Sequence, residues 1–207
     1  MKALSSIFIL TFISFAIWSC GDANRKLPFI GQHDVNEKGD SVYHAIPDFK
    51  FVNQDGDTLT QEAFKGKIYI ADFFFTSCPT ICPVMKTQML RIYEKFKDNP
   101  ELGILSHTID PRHDSVAVLK AYKEKLGVNT NQWQFVTGEQ EKIYEIAQKS
   151  YMVSAMEDKE AVDEGGFVHS GAFVLVDKNR NIRGVYDGTK EKEVNRLIKD
   201  IELLLQK

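Results

Sequence analysis

The chain has 207 residues, 43% of them hydrophobic, and a formal net charge of −3, with a sequence pI near 6.0. No basic stripe or Lys/Arg-rich run appears, so nothing electrostatic points to nucleic acid as a partner. Gly and Pro are not enriched, and no low-complexity stretch or internal repeat is present, which leaves one domain of ordinary size plus some tail.

Residues 1–20, "MKALSSIFILTFISFAIWSC", carry Lys2, then an apolar run from about Ile7 to Ile17, then Ser19 and Cys20. A charged start followed by an apolar stretch is the pattern of a secretory signal, and the run is short for a membrane span, which needs roughly 20 apolar residues. A small residue followed by cysteine at the end of such a run resembles a bacterial lipobox, which makes Cys20 the expected lipidation site of a lipoprotein-type signal peptide. The alternative is an uncleaved anchor helix. Both predict a domain exported to the bacterial cell envelope, tethered to a membrane and facing the periplasm or exterior. Residues 21–45 are polar and mixed, without helical or strand period, and read as a tether and arm.

From residue 46 the pattern changes. "PDFKFVNQDGDTLT" alternates Phe49 and Phe51 before an Asp55–Gly56 turn signal and predicts an N-terminal hairpin extension. "GKIYIADFFF" is a nearly continuous apolar run of strand length, as in central strands buried on both faces. The loop "TSCPTICP" follows, then a helix with Met85, Met89, Ile92 and Phe96 at helical spacing and Pro83 in its first turn. "LGILSHTIDP" predicts a strand stopped by Pro111. Asp114 is the expected cap of a helix carrying Val118, Leu119, Tyr122 and Leu126. "WQFVTG" predicts a short strand and residues 139–149 a helix. The acidic stretch "MEDKEAVDEGG" reads as a solvated loop over Glu157–Glu164. "GAFVLVDKNRNIRGVYDG" predicts two strands around a turn, before a closing helix with Val194, Leu197, Ile198, Ile201 and Leu204 on one face.

Strands alternating with helices predict a central sheet with parallel strands, covered on both faces. The closing antiparallel hairpin and helix, with a cysteine pair between the first core strand and the first helix, specify the α/β class. The arrangement is that of a thioredoxin-like fold over residues 46–207, a central mixed sheet flanked by helices.

Cys78 and Cys82 are the cysteines left to this domain. A disulfide closing so small a ring is a poor staple, because loop-closure stabilisation grows with loop length; the pair is better read as chemical. A helix N-terminus favours ionised thiols, and thiolate serves as nucleophile or metal ligand. Thioredoxin-type redox couples use C-x-x-C, whereas this spacing is C-x-x-x-C, which allows either a disulfide or two sulfurs on one metal. No proline follows Pro111. Where a thioredoxin-type proline would stand, before "GAFVLVD", the chain has His169. Two thiolates and an imidazole suit copper rather than magnesium or calcium; zinc would accept them, but its structural sites normally have four ligands.

"FTSCPTICP", then "TIDPRHD", then "HSGAFVLVD" together resemble the Sco (SenC) family of copper chaperones, from roughly Ile46 to the C-terminus. The resemblance implies a membrane-tethered copper metallochaperone that delivers Cu(I) or Cu(II) to the dinuclear copper centre of cytochrome c oxidase, with Cys78, Cys82 and His169 as ligands. The expected partner is the copper-bearing oxidase subunit or another copper or thiol protein. Asp110 matches the family's acidic residue in the D-P loop, and His113 departs from the family pattern there. A thiol–disulfide oxidoreductase that keeps a partner's copper-binding cysteines reduced, with Cys78 and Cys82 as the catalytic pair, is the alternative; a peroxiredoxin-type peroxidase lacks its T-x-x-C surroundings. His107 is the rival ligand, otherwise a half-buried structural residue. His33 and His44 are expected in solvent, Met85 and Met89 in the core, and the run Phe73–Phe75 in the core.

Overall fold

The fold is that of a computed structural model, which describes residues 25–206 except 159, 162 and 164. In chain order the strands and helices are β1 (His33–Val35), β2 (Ser41–Tyr43), β3 (Lys50–Asn53), β4 (Thr58–Thr60), β5 (Ile68–Phe74), α1 (Ile81–Phe96), β6 (Leu102–Thr108), α2 (Val116–Lys125), β7 (Trp133–Thr137), α3 (Gln140–Glu145), β8 (Ala155–Glu157), β9 (Phe167–His169), β10 (Ala172–Val176), β11 (Ile182–Asp187) and α4 (Glu191–Leu205). Seven strands form one sheet in the order β11-β10-β5-β6-β7-β3-β4. β5, β6 and β7 run parallel; the remaining pairings are antiparallel. This is the expected thioredoxin-like mixed sheet, and the predicted hairpin over 47–60 is β3–β4.

Every residue of β5 and β6 is buried, because helices cover both faces. Neighbouring side chains on a strand point to opposite faces. Phe74 turns toward Tyr122 of α2 and the Lys86 ammonium of α1, while Phe73 turns toward Tyr151 beyond α3. Arg91 of α1 donates to Asn195 of α4 at 2.6 Å, so α1, α2 and α4 share one face. α3 continues as a turn of π-helix over Ile146–Ser150 on the other, and Tyr151 beyond it reaches the Tyr69 hydroxyl at 3.1 Å.

Three expectations need correction. α2 is capped by Ser115, whose side chain accepts from the Val118 N–H, and Asp114 is withdrawn into the interior. The arm is not featureless: β1 and β2 pair within it, Leu27 is buried, and Ile30 and Ala45 bridge to Ile182 and Asn181 at the edge of the sheet. The acidic stretch is not a plain loop either, since its ends pair as β8–β9, with Ala155 opposite His169.

Candidate metal centre

β5 delivers the chain to a short loop, and α1 begins at Ile81. Cys78 lies in that loop and Cys82 is the second residue of the helix. Both are buried, 8% and 2% exposed. They are thiols in hydrogen-bond contact with each other, and the Cys78 sulfur also lies 3.8 Å from the Thr80 hydroxyl.

The loop is fixed from below by Asp114. Its carboxylate accepts from the Thr76 N–H at 3.0 Å, from the Thr76 hydroxyl and from the Thr108 hydroxyl. One buried side chain thus ties the cysteine loop to the end of β6 and the start of α2.

From above, the loop is closed by the β8–β9 hairpin. The Phe167 ring lies 4.9 Å from that of Phe75. Gly165 comes so near that a Cβ there would sit 3.1 Å from the Phe75 ring and 3.5 Å from Pro79. At φ +77° its backbone is also one that favours glycine. Past the hairpin, a Cβ on Gly171 would sit 3.8 Å from the Ile81 side chain. His169, at the end of β9, falls in the chain between the residues that make these contacts.

The helix N-terminus does not by itself produce a thiolate. The Cys82 thiol is pushed up from its ordinary range, first by its hydrogen bond with Cys78 and then by burial, while the Phe75 main chain and the Lys86 charge oppose the shift. Cys82 therefore holds its proton until something replaces it: a metal that takes both sulfurs and releases protons, or an oxidant that joins them.

His107 is not beside the cysteines' helix. It lies on the opposite face of the sheet, fully buried, stacked on Phe73 at 4.7 Å and edge-on to Phe51 at 5.4 Å. Neither ring nitrogen makes a hydrogen bond of ordinary geometry. Burial lowers its pKa to about 3, with a main-chain group of Asp72 pulling slightly the other way. The expectation of half burial is exceeded, and the ring is a core residue. Asp110 is buried and pairs with exposed His113 at 2.7 Å. His33 is exposed as expected, but His44 is half-buried, its Nε2 2.7 Å from the Ser150 carbonyl. Met85, Met89 and Phe73–Phe75 are core residues.

Among the described residues, no three His, Cys, Asp or Glu side chains gather as a metal-binding group, and no helix is long and apolar enough to cross a membrane. Cys20 lies outside the described residues.

One cluster was not anticipated from sequence. Lys86, 2% exposed, donates to Asp72 at 2.6 Å and to Ser106 at 3.1 Å, and Ser106 also bonds Asp72 and accepts from the Trp133 indole. The signal was available: Lys86 falls on the apolar stripe of α1, between Cys82 and Met89, and Asp72 interrupts an otherwise apolar strand.

Residues 37–206 match the family model described as SCO1/SenC. The structure is similar to that of a SCO1/SenC family lipoprotein from Bacillus anthracis, 28% identical, with a TM-score of 0.71 over 78% of this chain and 95% of that one. It is similar to BsSco, whose structure is described as identifying a disulfide switch in a member of the Sco family of cytochrome c oxidase assembly proteins. That likeness is 31% identity and a TM-score of 0.68 over 78% and 93% of the two chains. It is also similar to Arabidopsis thaliana ScoI with copper bound, 26% identical, with a TM-score of 0.64 over 79% of this chain and all of that one, 100%.

Proposed function

The chain belongs to the SCO1/SenC family, and from that premise we propose that it carries copper on Cys78, Cys82 and His169 and hands it to a partner by ligand exchange. Copper is the cargo here. The reading fits the donor chemistry of two buried thiols in contact with each other, soft ligands suited to copper. The observation that carries it is the hairpin seated on the cysteine loop, with the residues on either side of His169, Phe167 and Gly171, set against Phe75 and Ile81. Copper bound to Arabidopsis thaliana ScoI supports the same cargo.

The recipient in this reading is the copper-bearing subunit of cytochrome c oxidase, or another protein whose copper site includes thiols; the oxidase-assembly family of BsSco supports it. Cys20 is the proposed lipid anchor, in keeping with the lipoprotein from Bacillus anthracis, and holds the domain outside the cytosol.

Anaerobic copper titration of the reduced protein beside His169→Ala tests the ligand set. One equivalent bound, with a thiolate-to-Cu(II) absorption band that weakens or shifts in the variant, is the expected result. Binding indifferent to His169 would remove it from the site. A second reading, thiol–disulfide exchange with a partner's copper-binding cysteines, is favoured by the mutual contact of the thiols and by the disulfide switch of BsSco. It predicts a partner disulfide reduced at the expense of Cys78 and Cys82, one thiolate attacking and the other resolving the mixed disulfide.

A further inference from the structure

Lys86 stands one helical turn after Cys82 on the buried face of α1. Helical side chains lean toward the N-terminus of their helix, which is the Cys82 end. The ammonium is held by Asp72 at 2.6 Å, by Ser106 at 3.1 Å and over the Phe74 ring at 4.0 Å. With 2% exposure, it is a fixed positive charge that water barely screens.

We propose that Lys86 is a charge-compensating residue that makes the cysteine site prefer cuprous over cupric copper. This inference rests on the copper reading above. Two thiolates and a neutral imidazole leave a Cu(I) complex with one net negative charge, whereas the Cu(II) complex is neutral. A buried cation under Cys82 stabilises the first and has little net effect on the second. Asp72 stands on the neighbouring strand and partly offsets the cation. Lys86 and Cys82 nonetheless share the buried face of α1, one helical turn apart. The other buried carboxylate near the site, Asp114, has its oxygens engaged by Thr76 and Thr108. A carrier with this bias would hold its cargo in the soft, thiol-compatible state.

The test measures Cu(I) and Cu(II) affinities separately, by competition with chromophoric chelators, together with the one-electron potential of the bound metal. Asp72→Asn leaves the cation and removes its counter-charge. Lys86→Gln combined with Asp72→Asn removes both charges, and each variant keeps a hydrogen-bonding pair. The Asn variant is expected to raise the Cu(I)-to-Cu(II) affinity ratio. The double variant is expected to lower it about tenfold, a fall of about 59 mV for one electron, and Lys86→Arg to stay near wild type. A purely structural role would move both variants in the same direction, so shifts of one sign, or no shift, overturn the proposal. If the wild-type protein binds no copper, or binds it after both cysteines are replaced, the copper reading itself fails, a result distinct from an unmoved ratio.

Discussion

Acidification should destabilise this fold through a single side chain, His107. The ring is wholly buried among Phe73, Phe51, Phe49 and Tyr151, and burial depresses its pKa from 6.5 to about 3. In the unfolded chain the imidazole takes up a proton as pH falls past 6.5; in the folded chain it does not until about 3. Between those values the unfolded state binds the extra proton, so stability is complete above the upper value and drains away toward the lower one. At roughly 1.36 kcal/mol per pH unit, a move from about pH 7.5 to about pH 4.5 costs on the order of 2–3 kcal/mol from this residue alone. Urea unfolding of wild type and His107→Phe at both pH values isolates it, because the carboxylates titrate alike in the two proteins. Phenylalanine suits the aromatic surroundings and strands no ring nitrogen. Wild type should lose on the order of 2–3 kcal/mol more than the variant. Equal losses would refute the account of His107 as a neutral core residue, and copper binding abolished in the variant would restore it as a ligand.

Asp114→Ala should cost about 2–3 kcal/mol by leaving buried donors of Thr76 and Thr108 unmet, and should speed alkylation of the cysteines several-fold as their loop loosens; an unchanged alkylation rate would argue that the loop is held elsewhere. Gly184→Ala drives a Cβ into the Tyr186 hydroxyl, which is itself bonded to Asp200 at 2.7 Å. Thermal unfolding should show a loss of about 2 kcal/mol that Tyr186→Phe partly relieves. Ser115→Ala should cost about 1 kcal/mol in urea unfolding, and a larger loss than Asp114→Ala would reverse the assignment of cap and interior residue.

The periodic segments were legible because their physics is local. The apolar run of β5 and the stripe of Met85, Met89 and Ile92 announce a buried strand and a half-buried helix without reference to anything distant. The cysteine pair was placed correctly at their junction for the same reason. What periodicity missed was long-range. β8 and β9 are three-residue strands separated by an acidic stretch, too short to alternate visibly, and Phe167 of β9 packs on the distant Phe75. Asp114 looked like a cap because capping is a local pattern; Thr76, which captures it, is 38 residues away. Lys86 and Asp72 were passed over because a charge in an apolar pattern is ordinarily a solvent-facing interruption, and only the fold shows that the two interrupt the same interior.

The arm has a consequence for how the protein can be handled. β11 is an outer strand of the main sheet, and such edges template pairing with other chains. Here Ile30 and Ala45 occupy its beginning, and Arg183 on that strand grips the Leu27 and Pro28 carbonyls. The leader of the domain is thus a selvedge that keeps the weave from catching on its neighbours. Trimming the chain back to Ile46 would spare Cys78 and Cys82 and yet open that edge, giving a protein prone to self-association; a cut ahead of Arg25 would keep it sealed.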